Sequence, residues 1–338
     1  MISNQYHALD RALVLDGMGY VCTTATTLDT TVKETKPVLG EDNKPKRDAN
    51  GKVLEELGPF VKKAKTAIGT WADAEPGEDA TKRRFLKQLN RIEKSAIEYG
   101  VDQDENNLGV GIITSKSGIV VLDLDAGKVP DVNDLNHNMD AEAAHDLLLE
   151  RLLKVAGISN ADLDSWINQF RQLVHVRTPS GGWHYYFRRQ LGQKPRTHTG
   201  LISHVDIRAG FKNDEGDWES SGLAYAPGNV TAKGEYIIFQ VDVDGHPSRL
   251  KSLPPVNDLP FLPEKINSLF ERSTTEIREI AHAMAIPVPK TNERYFRLRD
   301  KTFSRSMVDT DADLSKWDVL AREFVQKAFE LRGGSHEC

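Results

Sequence analysis

Cysteine is nearly missing from this chain: two residues in 338, Cys22 and Cys338. They cannot supply the paired spacings of a zinc site or a disulfide framework, so no zinc is expected. A reducing compartment, the cytoplasm, is the natural location for such a chain. Long apolar runs are also missing. None approaches the roughly 18 residues needed to span a bilayer, so no membrane partner is expected. The opening MISNQYHALDRAL lacks the continuous apolar core of a signal peptide. Positive charge is not in excess, because 44 Lys and Arg face 50 Asp and Glu for a net charge of −6. The chain is therefore no polycation, and any nucleic-acid surface must be a local basic patch. An acidic total also suits a site that gathers carboxylates around metal ions.

What is present is the composition of a globular protein, 39% hydrophobic and 28% charged. Hydrophobic periodicity predicts helices over 5–18, 78–99, 139–156 and 160–173. Basic residues Lys82, Arg83, Arg84 and Lys87 crowd the start of the second. They are either a solvated face or a contact for phosphates. β-rich runs lie at Tyr20–Leu28, on both sides of Ser115–Gly118, and through residues 183–188, 205–210, 223–228 and 234–241. The polar stretch 33–53 reads as a surface hairpin or loop with Ala-Asn-Gly at its tip. The four prolines of SLPPVNDLPFLP, 252–263, read as a linker or domain edge. Helices are expected beyond it, at 264–285, 291–304 and 312–332. The fold class is thus an α/β (α+β) core over 1–263 followed by a small all-helical domain over 264–338.

Three strand ends carry the chemistry. In IVVLDLD, four apolar residues predict a strand buried on both faces. Asp123 and Asp125 then follow at i and i+2, the spacing that puts two side chains on one face. Two carboxylates side by side repel, and burial makes this worse. Either they are solvated acids at a strand end, or they ligate hard cations such as Mg²⁺ or Mn²⁺. HVDIRAG repeats the geometry with Asp206 and Arg208, either a plain ion pair or a third metal ligand beside an anion clamp. In TPSGGWHYYFR, alternation puts Trp183, Tyr185 and Phe187 on a core face and His184, Tyr186 and Arg188 on the other. Ser180, Gly181 and Gly182 form a turn whose backbone N–H groups would converge as an anion nest. Three carboxylates beside a phosphate cradle describe a two-metal phosphoryl- or nucleotidyl-transfer site.

The order of these motifs resembles the archaeo-eukaryotic primase superfamily, in its bifunctional DNA primase/polymerase form found in plasmids and phages. The matching residues are Asp123 and Asp125, then Ser180 and His184, then Asp206. A loose match to the approach to the first motif adds Asn107, Gly109, Thr114 and Ser117-Gly118. YAPGN at Tyr225–Asn229 and GEY at Gly234–Tyr236 look like two further family strands, although Gly228 and Asn229 replace the favoured Pro and Ser. The resemblance implies an RRM-like catalytic sheet with an added N-terminal α/β unit. It implies catalytic, metal-holding Asp123, Asp125 and Asp206 with two divalent ions, Mg²⁺ or Mn²⁺. It further implies Ser180, Gly181, Gly182, His184, Arg188 and Arg208 around the nucleotide. Single-stranded DNA is the implied template, dNTPs or NTPs the substrates, and a helicase, fused or separate, an added partner; the location would be the host cytoplasm for a phage-encoded chain. In the tail, Arg294, Tyr295, Phe296, Arg297, Arg299 and Lys301 interleave cations with aromatics, which suits single-stranded DNA or merely a solvated basic helix face. Competing readings are a tyrosine-dependent rolling-circle nickase using Tyr185 or Tyr186, a DxD sugar-nucleotide transferase and a non-catalytic single-strand binder. The nickase normally needs a His-hydrophobic-His pair, and the core strands offer only the isolated His175, His184, His198 and His204.

Overall fold

The computed structural model describes residues 4–289 apart from 28–29, 40–43, 49–50, 63–66, 68–73, 100–107, 132–136, 217, 220–221 and 243. The chain divides into a unit of Met1–Val38 with Val53–Val288 and a unit of Leu39–Lys52 with Pro289–Cys338. In the second unit the described residues show an isolated bridge between Leu39 and Pro45 and backbone hydrogen bonds from the Asp48 N–H to the Lys52 carbonyl and from the Gly51 N–H to the Asp48 carbonyl. The candidate DNA-binding residues Arg294 to Lys301 lie outside the described residues, as do the helices expected after residue 290.

The larger unit is α+β. Helix α1 (Asn4–Gly17) buries Ala8, Ala12 and Leu15 at i, i+4 and i+7. Strands β1 (Cys22–Thr26), β2 (Thr30–Pro37) and β3 (Glu55–Lys62) follow, and β2 pairs with β3, whose residues lie beyond the stretch 33–53 expected to form a hairpin or loop by itself. Helix α2 (Glu78–Tyr99) buries Phe85, Leu89 and Ile92 and opens with Glu78 and Asp79, acids that suit its positive end. Of its basic residues, Arg84 donates to the carbonyls of Cys22 and Glu75 and to Thr81, and Lys82 pairs with Glu78. Arg84 is therefore a structural tie rather than a free phosphate contact.

Strands β4 (Leu108–Ile113) and β5 (Ile119–Leu124) flank a single helical turn, α3 (Thr114–Ser117). Gly118 closes that turn in the left-handed region at φ 66°. The turn separates two sheets: β4 sits between β1 and β12 (Leu223–Tyr225), while β5 enters the main sheet. Helices α4 (Ala141–Val155) and α5 (Leu163–Gln172) come next, then β6 (His175–Arg177), β7 (Trp183–Arg188), β8 (His198–Ile202) and β9 (Val205–Arg208). The excursion after β9 forms a hairpin of β10 (Phe211–Lys212) and β11 (Trp218–Glu219). Beyond β12, β13 (Val230–Thr231) pairs β14 (Gly234–Glu235), and β15 (Ile237–Val241) pairs β16 (Pro247–Arg249).

The main sheet has the order β16-β15-β6-β7-β5-β9-β8, with all its pairings antiparallel. Its four central strands, numbered in chain order, stand 4-1-3-2 across β9-β5-β7-β6, the arrangement of an RRM-like core. Val120, Leu122 and Leu124 face one core with Trp183, Tyr185 and Phe187 beneath α4 and α5. Ile119, Val121 and Tyr186 face a second core built by α1, α2 and the three-stranded sheet. Burial on both faces explains the continuous apolar run of β5.

Two expectations are corrected here. SLPPVNDLPFLP is no linker: Leu253, Val256, Leu259 and Leu262 are buried at every third position, and the strap runs along the end of β7. The compact unit also continues past residue 263. Helices α6 (Glu264–Phe270) and α7 (Thr274–Ala283) insert Ile266, Leu269, Phe270, Ile277 and Ala281 into the same core as β5 and β7. They are two helices because Ser273 and Glu276 form a capping box that starts the second.

His175 lies in a buried network on the α4–α5 side, where its Nδ1 meets the Leu173 carbonyl at 3.0 Å. Burial pulls its pKa from 6.5 to about 4. The unfolded chain takes up a proton below pH 6.5 that the native state refuses, so stability falls as pH drops from 6.5 toward 4. Urea denaturation is expected to show a loss of about 2 kcal/mol between pH 6.5 and pH 5 from this group, reduced in His175→Gln.

Candidate active site

The registers of β5, β7 and β9 decide how the three motifs meet. Asp123 stands opposite His184 on one side and opposite Asp206 on the other. The three residues thus form one row across three adjacent strands, about 4.8 Å apart from strand to strand. Asp125 lies two residues beyond Asp123, where the chain leaves β5 for a short 3-10 turn, Ala126–Lys128. A cavity of about 120 Å³ lies over Asp123 and His184, lined among others by Asp125, Ser180, Arg208 and Tyr236; Asp206 is not part of its lining.

Each carboxylate has a cationic or imidazole neighbour from the chain. His184 Nε2 is 3.4 Å from Asp123 Oδ1. Lys128 Nζ is 2.8 Å from Asp125 Oδ2. Asp206 Oδ2 accepts from Arg208 Nη2 at 2.7 Å, and its Oδ1 accepts from the Gly200 N–H at 2.6 Å. Burial acts to raise the Asp123 pKa, yet the facing His184, with Arg208 and Lys128, holds it below the ordinary carboxylate range. Asp206 moves the other way: burial raises its pKa, and the neighbouring charges of Asp123 and Asp125 add to the rise, against the Gly200 N–H and Arg208.

The turn before β7 departs from the expected anion nest. The Gly181 N–H donates to the Thr178 carbonyl at 3.0 Å and the Gly182 N–H to Thr178 Oγ1 at 2.9 Å. Two of the three amides are therefore used inside the turn. The glycines serve a different need, the contact of two backbones. The Gly127 N–H donates to the Gly181 carbonyl at 3.1 Å, and a Cβ on Gly127 would lie 1.8 Å from the Ser180 carbonyl oxygen. A Cβ on Gly182 would lie 2.7 Å from the Leu124 carbonyl oxygen. This packing presses the end of β5 against the turn and sets Ser180 at the cavity. Thr178 organises the turn and escaped the sequence reading, although its place at its head was visible.

Arg188 is not at the cavity. It ends β7, four residues or about 13 Å beyond His184. Its Nη1 donates to the Asn257 carbonyl at 2.9 Å, its guanidinium lies 4.1 Å from the Phe261 ring, and its backbone pairs with Pro260 and Leu262. Tyr186 is also withdrawn. It is buried in the second core, and its hydroxyl has no hydrogen-bond partner among the described residues. Tyr225 and Tyr236, in the YAPGN and GEY segments, do line the cavity. Asn229 does not: it is fully buried and clamps Val110 through its N–H at 2.9 Å and its carbonyl at 2.7 Å. Thr114 of the approach motif ties β4 to the carbonyls of Ala209 and Gly222, at 3.2 Å and 3.0 Å.

The row His184–Asp123–Asp206 brings the three sequence motifs together in space, with the first of them in the middle. A family model described as bifunctional DNA primase/polymerase, N-terminal, matches residues 56–258, more than half of the chain. The chain belongs to the bifunctional DNA primase/polymerase family. No match is found among curated proteins. Membership makes this a nucleotidyltransferase-type fold, and the matched span holds all three motif strands.

Within that family the donor set fits hard divalent cations in type: three carboxylates with oxygen ligands and no thiolate. Among the described residues no three His, Cys, Asp or Glu stand close enough to form a ready-made metal cluster. Lys128 and Arg208 also hold carboxylate oxygens of Asp125 and Asp206 that a metal would use. The nickase reading loses its nucleophile. Tyr185 and Tyr186 are 0% and 2% exposed, and burial drives both phenols above their ordinary pKa. Among the described residues no helix is long and apolar enough to cross a membrane.

Proposed function

We propose that the chain is a DNA primase-polymerase that adds dNTPs or NTPs to a strand copied from single-stranded DNA. Primers would be made and extended in plasmid or phage replication, beside a fused or separate helicase. The observation that carries this reading is the single row of Asp123, His184 and Asp206 with Asp125 at its end. Asp123, Asp125 and Asp206 would hold two divalent ions, Mg²⁺ or Mn²⁺, which when bound activate the attacking hydroxyl and neutralise the triphosphate.

The chain's own residues have separable tasks. Arg208 is the cation best placed to change partners: it holds Asp206 in this structure and lines the cavity, so an entering phosphate gives it a second anion to grip. Lys128 holds Asp125 in the same way but does not line the cavity. His184 offers one nitrogen, Nε2, toward Asp123; Nδ1 is buried without a hydrogen-bond partner among the described residues. Positioning Asp123 and touching a phosphate therefore draw on the same N–H. Ser180 supplies a hydroxyl at the cavity from a turn fixed by Thr178.

Chelation by EDTA is expected to abolish labelled dNTP incorporation on a primed template, and added Mg²⁺ or Mn²⁺ to restore it; incorporation that persists in EDTA counts against the reading. Arg208→Ala is expected to raise the nucleotide KM by about 10- to 100-fold, the value of one or two charge-assisted contacts. Arg188→Ala is expected to leave that KM within about twofold, since its guanidinium is engaged by the strap. Steady-state kinetics on both variants separates the two arginines.

A further inference from the structure

A second and larger cavity, about 500 Å³, shares Tyr236 with the catalytic one. It lies between α1, the β14–β15 segment and the chain after β16. Its buried lining is apolar: Leu15, Ile238 and Leu253. Its margin is cationic. Arg249 is matched by Glu235: its Nη2 donates to both Glu235 carboxylate oxygens, at 3.0 Å and 2.9 Å. Lys251 is not matched, and the carboxylate acting on Arg11 is the same Glu235. Arg11 is half-buried with no ion pair among the described residues, and its Nη1 is steadied by Asn229 Oδ1 at 2.8 Å. Lys251 is exposed with no polar partner among the described residues. Val14, 54% exposed, completes the edge.

Three cations, Arg11, Arg249 and Lys251, against the one carboxylate of Glu235 leave the margin positive above an apolar floor, which suits a phosphodiester chain with a base laid on the floor. Distance decides against a lone nucleotide as the occupant. Strand β15 is three places from β5 in the sheet, about 14 Å at about 4.8 Å per strand. A mononucleotide held there could not bring a hydroxyl to Asp123. A polynucleotide covers that span in about four nucleotides when its bases stack at the duplex spacing of about 3.4 Å.

We propose that this groove holds a single strand of DNA about four nucleotides from the reaction centre, its phosphates on Arg11 and Lys251. The inference rests on the polymerase reading, yet it is separately testable, because strand binding needs no catalysis. Lys251→Glu and Val14→Glu both change exposed side chains at the margin. Anisotropy of a labelled twelve-residue oligothymidylate is measured against salt, beside fluorescent dATP binding and primer extension at saturating primer-template. Lys251→Glu is expected to weaken oligonucleotide binding at least tenfold and to reduce the salt slope by about 0.7, one phosphate contact. Val14→Glu is expected to weaken it severalfold. Both should keep the parent's nucleotide KM and extension rate. Parent-like oligonucleotide affinity and slope in both variants would overturn the proposal, as would weakened dATP binding with unchanged oligonucleotide binding. Should the parent fail to extend primers while the oligonucleotide results hold, the polymerase reading falls and the strand groove stands.

Discussion

Asp123→Asn is expected to lower nucleotide incorporation on a primed template by about 10³-fold or more, with the fold intact. The substitution keeps the size and shape of the side chain, so the pairing of β5 with β7 and β9 has no steric reason to change. What it removes is the charge on the one residue that faces both other motifs. The environment of Asp123 favours that charge: His184, Arg208 and Lys128 outweigh the cost of its burial. Three neighbours poised for an anion would then surround a neutral amide. Circular dichroism and a melting curve beside the kinetics separate lost chemistry from lost structure. A variant with near-parental incorporation and a parental melting curve would remove Asp123 from the mechanism.

Gly127→Ala is expected to produce the largest structural effect of any single methyl added near the site. The new Cβ would overlap the Ser180 carbonyl oxygen at 1.8 Å, and that atom is backbone in a turn closed by three hydrogen bonds. No side chain can swing away, so either the end of β5 or the turn must move. Overpacking of this kind costs about 3 kcal/mol. On a unit of this size that corresponds to a melting temperature lower by roughly 6–12 °C. Because the turn carries Ser180 and the β5 end carries Asp125, activity should fall further than stability does. Comparing kcat with the folded fraction at one temperature checks this. Equal losses in the two would mean that the backbone contact serves stability alone.

The sequence was informative wherever function depends on alternation within one strand. The face shared by Asp123 and Asp125, and the core face of Trp183, Tyr185 and Phe187, follow from a period of two. It was silent on what depends on neighbours far along the chain. That Asp123 faces Asp206 is a matter of register between β5 and β9, more than 80 residues apart in sequence. Tyr186 shares a face with His184 but is sealed under α1, α2 and the three-stranded sheet, a layer assembled from residues as far apart as α1 and β12. Arg188 lies away from the cavity because β7 ends there against the strap. The strap itself was readable: Leu253, Val256, Leu259 and Leu262 repeat at three, which fits an extended proline-rich segment lying on a core rather than a linker. The nest failed for a reason that composition cannot show. A glycine-rich turn offers amides, but the Thr178 hydroxyl and carbonyl had already taken two of them.

The most direct measurement of the central claim uses single-stranded DNA, Mg²⁺ or Mn²⁺ and labelled nucleotides with no primer, run on the parent and on Asp123→Asn. The account predicts short labelled products from the parent, longer products when a primer is added, and neither from Asp123→Asn. Absence of any incorporation by the parent with or without primer, or products from Asp123→Asn equal to the parent's, would contradict it.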